Sequence, residues 1–266
     1  MTAIDSKSLI ISNEWVNDEY KHMVVQVDHK AADVKPGQFF NLLCPQTDQD
    51  KPFFRRPMST YFANRQNGTV EFLYKVTGTG TRTLALLKAN DSLPVLGPLG
   101  KGFNLKDHYQ HILVLGRGVG LATLAPLAEA AAEKNIFVTA LLSARHRDSL
   151  MSQSRFLDVN ANVIEVVDTD NSSSVDNVES IILAEHHKRP IDAMFTCGST
   201  RLTKLLQKIA NQHNIDGEVA LEQHMACGIG MCYCCVKPFH VEGESEPRSK
   251  RVCVDGPVFS LKEFIA

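Results

Sequence analysis

Short runs of apolar residues alternate with turn-forming residues over the first hundred positions of the chain. MVVQV (23–27), FFNLLC (39–44) and VEFLYKV (70–76) are rich in Val, Phe, Leu and Tyr, residues that favour strands. Glycine, proline and asparagine lie between these runs, and LGPLGKG (96–102) predicts a turn at the end of the region. Several short strands at this spacing predict an antiparallel sandwich or barrel over residues 1–104.

A second pattern starts near residue 105, where apolar runs alternate with helical segments. HILVLG (111–116) and IFVTALL (136–142) are apolar almost throughout, as expected for strands buried on both faces. LATLAPLAEAAAEK (121–134) and TRLTKLLQKIANQH (200–213) show helical spacing. Alternation of this kind predicts a parallel sheet covered by helices, and it extends over residues 105–222.

Residues 223–266 show little periodicity and hold five of the seven cysteines. A segment with so little apolar content needs a cross-link or a bound metal to fold stably, which predicts a small third domain built around a metal or redox site. The net charge of −2 argues against nucleic-acid binding. We find no apolar run near the roughly 20 residues of a membrane helix, and no export signal at the start of the sequence. We therefore expect a cytoplasmic protein whose clustered cysteines form a metal or redox site rather than a disulfide framework.

The cysteine spacing is the most specific chemical signal in the chain. Cys227, Cys232 and Cys235 form a C-x4-C-x2-C pattern, and Cys253 follows after seventeen residues. This is the spacing of plant-type [2Fe–2S] proteins, in which four thiolates hold the cluster. Zinc and disulfides are the alternatives, although zinc sites more often show paired C-x2-C motifs. Cys234 is an alternative third ligand, and we prefer Cys235 because of the spacing.

Two weaker signals in the first region are typical of flavin sites. In RRPMST (55–60), Arg56 would bind a phosphate and Ser59 the flavin ring, and an ordinary exposed turn is the alternative. In GTGTRT (78–83), Gly78 and Gly80 allow close approach of the backbone, and Thr81 would start a helix. A simple turn with a helix cap explains the second motif equally well.

The second region carries signals of a nucleotide site. GRGVG (116–120) follows a strand and opens a helix, the context in which a glycine-rich turn binds a pyrophosphate. A tight turn is the alternative. Cys197 ends a later strand and is either near the ligand or a structural cysteine. Arg145 and Arg147 follow another strand and would either meet a 2′-phosphate or remain surface charge.

The order of these motifs along the chain is a more specific signal than any one motif taken alone. RPMS, LYKVTGTGT, LGPLGKGF, LGRGVG, TCGS and then MACGIGMCYCC with RVCVDGPVF resemble the ferredoxin–NADP reductase superfamily. Within it, the chain resembles the electron-transfer subunits of class B dihydroorotate dehydrogenases over essentially its whole length. The resemblance implies an FAD-binding β-barrel (1–104), an NAD(P)-binding α/β domain (105–222) and a [2Fe–2S] domain (223–266).

The resemblance also implies roles for individual residues. FAD would contact the RPMS motif, the following strand and the glycine turn, namely Arg56, Pro57, Met58, Ser59, Leu73, Tyr74, Lys75, Gly78, Gly80 and Thr81. NAD, or NADP, would lie at Gly116, Gly118, Gly120 and Cys197. The cluster would be held by Cys227, Cys232, Cys235 and Cys253.

Three positions depart from the family pattern. Arg117 stands where relatives usually have glycine, Thr123 where they usually have proline, and Cys234 where they usually have a small residue. Arg117 would either add a charge contact to a pyrophosphate or narrow the site.

We find no acid–base set for oxidising an organic substrate, and so name no catalytic residue. The resemblance implies an oxidoreductase subunit that passes electrons between a nicotinamide nucleotide, FAD, the cluster and a catalytic flavoprotein partner in pyrimidine biosynthesis. The alternatives are a stand-alone NAD(P)H reductase that feeds another acceptor or an oxygenase, and a partner-bound redox sensor.

Overall fold

The computed structural model describes residues 3–265, which form two compact units. The first unit comprises 3–102, 223–236 and 251–257, and the second comprises 103–222, 237–250 and 258–265. The cysteine-rich segment is thus shared between the units. The predicted boundaries of three domains stay a prediction.

The first unit is built on a seven-stranded antiparallel sheet with the strand order β4-β3-β7-β1-β2-β6-β5. Its strands are β1 (Ile4–Trp15), β2 (Tyr20–Gln26), β3 (Phe39–Leu42), β4 (Arg56–Ser59), β5 (Phe62–Asn64), β6 (Thr69–Lys75) and β7 (Ser92–Leu99), with helix α1 (Thr79–Ala85) after β6. Within residues 3–265, β4 and β5 each pair on one side only, so the ladder is open.

Alternation of apolar residues explains how these strands pack. Met23 and Val25 of β2 are fully buried, whereas Val24 between them is only partly buried, because successive side chains point to opposite faces. The inward side chains meet Phe40, Phe72 and others in one core cluster. The predicted antiparallel fold is confirmed. The turn predicted at 96–102 is wrong at its start, because β7 continues to Leu99 and pairs with β1.

The second unit contains a six-stranded sheet with the order β10-β9-β8-β11-β12-β15. Its elements are β8 (His111–Arg117), α2 (Gly120–Glu133), β9 (Phe137–Ala144), a 3₁₀ turn (Arg147–Ser149), α3 (Gln153–Asp158), β10 (Asn162–Val167), α4 (Val175–Lys188), β11 (Ala193–Cys197), α5 (Thr200–His213) and β12 (Asp216–Ala220). Strands β8 to β12 pair in parallel, which confirms the predicted parallel α/β sheet.

Helix α5 shows why this sheet is covered as predicted. Leu202, Leu205, Leu206 and Ile209 recur at helical spacing and are all buried against the sheet. The helix ends at His213, and the left-handed φ of 50° at the following residue, Asn214, suits asparagine. Tertiary structure adds one strand that periodicity did not predict: β15 pairs antiparallel with β12 at the edge.

The remaining elements come from the C-terminal segment. They are β13 (Val236–Phe239), β14 (Arg248–Arg251), α6 (Val252–Asp255) and β15 (Val258–Ser260), and β13 and β14 form a two-stranded ribbon. None of the helices within residues 3–265 has the length and apolar character that crossing a membrane requires.

Candidate functional site

Strand β4 carries the RPMS motif and presents two different faces. Antiparallel pairing with β3 places Arg56 opposite Leu42 and Met58 opposite Phe40. Leu42 and Phe40 belong to the core cluster, and Met58 packs against that core. Pro57 and Ser59 alternate with them and therefore lie on the other face. Ser59 is exposed.

Arg56 lies directly against Gly80 in the first turn of α1. A Cβ placed on Gly80 would be only 2.5 Å from Arg56 Nε, so the two predicted phosphate contacts are brought together. Arg56 Nη1 donates to the carbonyl of Phe54 at 2.6 Å. We find no carboxylate paired with Arg56 within residues 3–265, whereas Arg55 pairs with Asp5. A guanidinium without an acidic partner is available for a phosphate.

The turn itself fits a group that approaches the backbone. Nothing lies within 4 Å of the place a Gly78 Cβ would occupy, so packing does not require glycine there. The Thr81 hydroxyl accepts the N–H groups of Thr77 and Gly78 and donates to the Gly78 carbonyl. Helix α1 therefore starts at Thr79, two residues earlier than predicted, and the Thr81 hydroxyl acts as a cap.

A buried polar network that sequence reasoning missed holds the other end of α1. Asn13 Nδ2 donates to the carbonyls of Leu84 and Leu87 at 2.9 Å each. Lys21 Nζ donates to the Ala85 carbonyl at 2.8 Å, a cation at a helix C-terminus. Burial lowers the pKa of this lysine, although Glu14 opposes the effect. The network anchors the helix whose first turn is the predicted phosphate contact.

Strand β6 separates the three predicted flavin contacts between its faces. The Tyr74 side chain is 2% exposed, lies in the core and donates its hydroxyl to Asn13 Oδ1 at 2.9 Å. Burial raises the pKa of this phenol. Leu73 and Lys75 point the opposite way, and Lys75 pairs with Glu19 at 2.7 Å. Tyr74 can therefore contact a flavin only through its main chain.

The cysteine loop of the first unit is arranged to stabilise thiolates. Burial opposes ionisation of Cys227, but backbone N–H groups of Ile229, Cys232 and Met231, together with the Cys232 side chain, outweigh it and lower the pKa of the thiol to about 6. The Cys232 N–H lies 3.4 Å from Cys227 Sγ. Such N–H contacts to sulfur are typical of iron–sulfur sites, where they tune the potential.

The second pair of predicted ligands lies at the return of the chain. The Cys253 N–H lies 3.4 Å from Cys235 Sγ, and both residues are buried. Burial and the neighbouring Cys235 sulfur raise the pKa of Cys253, so the two thiolates repel each other unless a cation lies between them. Arg251 Nη1 donates to the Gly230 carbonyl at 3.1 Å and joins the return segment to the loop.

The four predicted ligands thus form two pairs, Cys227 with Cys232 and Cys235 with Cys253. Within residues 3–265, no three Cys, His, Asp or Glu side chains form a group that could hold a metal ion. A [2Fe–2S] cluster takes four thiolates, two on each iron, whereas zinc takes four ligands on one ion. Cys234 is exposed, and its sulfur lies 3.9 Å from the His224 carbonyl oxygen.

Asn41 links the flavin strand to the cysteine loop. It lies in β3 opposite Pro57, and its Nδ2 donates to the Cys227 carbonyl at 3.1 Å. A Cβ on Gly228 would be 1.9 Å from this nitrogen, and Gly228 has a φ of +70°, so only glycine fits. Asn41 is 1% exposed, and its Oδ1 has no protein partner within the described chain. The lone polar residue in the apolar run FFNLLC was the signal that sequence reasoning missed.

The glycine turn of the second unit is packed by the protein itself. A Cβ on Gly120 would lie 2.4 Å from the Cys197 carbonyl oxygen, and one on Gly116 would lie 2.7 Å from Leu121 Cδ2. Gly118 has a φ of +57°. The predicted nucleotide residues therefore meet where β8 and β11 pair, although packing and backbone conformation explain each glycine.

Cys197 lies at the end of β11 opposite Gly116. It is 3% exposed, and burial raises the pKa of its thiol to about 12, so the thiol stays protonated at neutral pH. The neighbouring Gly198 has a φ of +102°, and a Cβ there would lie 2.5 Å from the Arg117 carbonyl oxygen. Cys197 is thus a buried neutral group at the ligand-binding edge of a parallel sheet.

Comparison with known proteins identifies what this arrangement resembles. A family model for the iron–sulfur cluster binding domain of dihydroorotate dehydrogenase B matches residues 222–265. The solved NADH-dependent reduced ferredoxin-NADP oxidoreductase is 26% identical with a TM-score of 0.79, over 97% of this chain and 89% of that chain. Ferredoxin-NADP+ reductase from Plasmodium falciparum is 14% identical with a TM-score of 0.62, over 81% and 96%.

Two curated relatives match over most of their length. The "Dihydroorotate dehydrogenase B (NAD(+)), electron transfer subunit" of Desulforamulus reducens is 31% identical over 84% of each chain. The protein of the same name from Caldanaerobacter subterraneus subsp. tengcongensis is 31% identical over 97% of this chain and 98% of its own. Fold and cysteine segment together define a protein of ferredoxin–NADP reductase fold with a C-terminal iron–sulfur region. The chain belongs to the family of dihydroorotate dehydrogenase B electron transfer subunits.

Proposed function

We propose that this chain is the electron-transfer subunit of an NAD-linked dihydroorotate dehydrogenase. It carries FAD and a [2Fe–2S] cluster and passes electrons between a nicotinamide nucleotide and the catalytic flavoprotein subunit, in pyrimidine biosynthesis. When bound, the flavin connects two-electron hydride chemistry to one-electron transfer. The chain is thus an oxidoreductase subunit whose full activity needs its partner.

One observation carries the proposal: β3 connects the candidate flavin strand to the candidate cluster loop within a single unit. Asn41 lies opposite Pro57 of β4 on one side and holds the Cys227 carbonyl at 3.1 Å on the other. Both candidate sites therefore lie in the first unit and are linked through β3, which supports electron transfer between them.

Each residue set has a defined task in this proposal. Arg56 holds a flavin phosphate with its planar fork, and Ser59 hydrogen-bonds the flavin ring. The thiolates of Cys227, Cys232, Cys235 and Cys253 bind iron, and backbone N–H groups at Cys227 compensate their charge. The turn at Gly116, Gly118 and Gly120 and the protonated Cys197 form the nucleotide edge of the second unit.

The test separates the two halves of this electron path. We expect Cys232→Ala, expressed with the catalytic subunit, to abolish dihydroorotate-dependent NAD reduction while NADH-to-dye activity remains largely intact. Cys234→Ala is the matched control, because it alters the same exposed loop without removing a predicted ligand, and we expect it to retain both activities. Equal loss of both activities in Cys232→Ala, with FAD retained, would contradict this division of labour.

Co-purification decides between the proposal and its alternatives. We expect an anaerobic pull-down of the chain to recover a dihydroorotate dehydrogenase catalytic subunit in near-equal amount. A monomeric chain that still reduces a soluble carrier would indicate a stand-alone reductase, and a chain without NADH-driven flavin reduction a redox sensor. We also propose a cytoplasmic location, because no disulfide joins any of the seven cysteines within residues 3–265, as expected in a reducing compartment.

A further inference from the structure

Asn41 is a buried polar residue whose hydrogen bonding is incomplete. It lies in β3, within the apolar run FFNLLC, and is 1% exposed. Its Nδ2 donates to the Cys227 carbonyl at 3.1 Å, whereas its Oδ1 has no hydrogen-bond partner within residues 3–265. A buried amide with one unpaired atom adds little to stability, because desolvation of that atom offsets the hydrogen bond that is made. Folding alone therefore does not explain why this position is polar.

The amide of Asn41 lies against the start of the cysteine loop. Its Nδ2 holds the carbonyl of Cys227, and a Cβ on Gly228 would lie 1.9 Å from the same nitrogen. The carbonyl of one residue and the N–H of the next share a rigid plane, so a fixed Cys227 carbonyl also fixes the peptide that joins Cys227 to Gly228. Gly228 then turns the chain with a φ of +70°. Asn41 therefore sets the direction in which the loop leaves Cys227.

The loop beyond this point returns its backbone N–H groups to the Cys227 sulfur. The Cys232 N–H lies 3.4 Å from Cys227 Sγ, and the N–H groups of Ile229 and Met231 hydrogen-bond the same sulfur. Three donors can converge on one atom only if the peptides between them hold fixed orientations. The conformation at Gly228 thus begins an arrangement that directs N–H dipoles at one predicted iron ligand.

A second side chain fixes the far part of the same loop. Arg251 Nη1 donates to the Gly230 carbonyl at 3.1 Å, and the plane of that peptide contains the Met231 N–H. The C=O and N–H of a trans peptide point in opposite directions, so a carbonyl held by Arg251 turns the Met231 N–H away from the guanidinium. Arg251 is charged, partly exposed and 3.5 Å from Asp255. Asn41, by contrast, is neutral and buried, so its effect on the loop can be measured without a change of charge.

We propose that Asn41 is a positioning residue for the [2Fe–2S] cluster: by holding the Cys227 carbonyl, it keeps the N–H groups of the loop aimed at the Cys227 sulfur and thereby raises the reduction potential of the cluster. N–H groups directed at a ligand sulfur favour the more negative, reduced form. The inference rests on the proposed function, because it requires that Cys227 ligates a cluster. It assigns a role to a residue of β3 that lies 186 positions before the loop it holds.

Reduction potentials test this inference on the full chain, purified with FAD, its cluster and the catalytic subunit. An anaerobic redox titration, followed by the electron paramagnetic resonance signal of the reduced cluster, compares the wild type with Asn41→Leu. Leucine has the same branched arrangement of side-chain heavy atoms as asparagine but no donor. We expect the equilibrium constant for one-electron reduction to fall at least about threefold, roughly 28 mV at 59 mV per tenfold, because the loop N–H groups lose their fixed aim.

A second buried asparagine separates positioning from a merely structural role. Asn13 belongs to the same unit and donates to the carbonyls of Leu84 and Leu87, neither of which lies in the cysteine loop. Because Asn13→Leu removes two such hydrogen bonds and Asn41→Leu only one, we expect Asn13→Leu to lower the melting temperature of the complex at least as much. We expect it to leave the reduction potential of the cluster unchanged.

The outcomes separate this inference from the proposed function. A change of less than about threefold in Asn41→Leu would overturn the inference and leave the proposed function standing, and so would an equal shift in Asn13→Leu. If Asn41→Leu fails to fold, Asn41→Ala decides the matter, and we expect its potential to shift in the same direction. If neither Asn41 variant assembles a cluster while FAD and the partner stay bound, Asn41 serves assembly instead and the inference is overturned. If the wild-type complex itself holds no [2Fe–2S] cluster, the proposed function is overturned.

Discussion

The two candidate sites differ in how their polar groups find partners. In the first unit, Arg56 has only carbonyl partners within residues 3–265, and Gly78 faces open space. In the second unit, Arg117 is fully paired and Gly120 is packed against Cys197. The first unit therefore leaves donors and space that a bound group would fill, whereas the nucleotide turn is explained by its own packing. The nucleotide-binding role proposed for the second unit is therefore supported by family membership more than by the geometry of this turn.

The largest effect is expected in the first unit, at the cysteine loop. We expect Gly228→Ala to prevent cluster assembly, because its φ is +70° and a Cβ would lie 1.9 Å from Asn41 Nδ2. Gly243→Ala is the matched control, because its φ is +83° but nothing lies within 4 Å of the added Cβ. It should cost only the backbone strain, about 1–2 kcal/mol. Iron content and the visible circular dichroism spectrum measure the difference, and equal iron contents would contradict it.

The next effect concerns the arginine without an acidic partner. We expect Arg56→Gln to weaken FAD binding about 10- to 100-fold, since a charge-assisted hydrogen bond is worth about 1.5–3 kcal/mol. Arg82→Gln is the control, because Arg82 is already neutralised by Asp50 at 2.7 Å, and we expect FAD binding to change little. Fluorescence titration of the apoprotein with FAD measures both. Similar losses of FAD affinity in the two variants would show that lacking a carboxylate partner does not set Arg56 apart from Arg82 in FAD binding.

A smaller effect separates the two faces of β6. We expect Tyr74→Phe to lower the free energy of unfolding by about 1 kcal/mol, because the hydrogen bond to Asn13 is lost in the core. FAD affinity should stay unchanged, since the phenol lies on the face opposite Leu73 and Lys75. Chemical denaturation and FAD titration are the two measurements. A loss of FAD affinity without loss of stability would place the side chain in the flavin site.

The smallest effect concerns the paired charges of the second unit. Because the Arg117 and Ser173 hydrogen bonds lower the pKa of Asp168 to about 2, Asp168 stabilises the folded state above its unfolded pKa of about 3.9. That stability is lost as the pH falls from about 4 toward 2. We expect Asp168→Asn to be less stable than the wild type at pH 7, by about 1 kcal/mol or less after solvent screening. In thermal melts, the difference in stability between the wild type and Asp168→Asn should shrink below about pH 4. A difference that grew there would contradict the pairing.

Much of the fold followed from local pattern. Strands β2, β6 and β8 were predicted within a few residues, and α5 was predicted with its observed bounds, because alternating and helical periodicities report burial directly. Strand β15 was missed because three residues, Val258–Ser260, carry too little periodicity to predict pairing. The start of the predicted turn at 96–102 was wrong, because β7 pairs with β1 as far as Gly97 and with β3 at Leu99.

The candidate sites divide in the same way. Cysteine spacing and the order of the glycine motifs are chemical patterns along the chain, so the sequence by itself determined the family, the fold class and the four proposed ligands. Asn41, Asn13 and the Asp168 pairing lie 51 to 186 positions from their partners, and no local pattern reports such contacts. Only the tertiary structure decided them, because they depend on which strands become neighbours and which face each side chain takes.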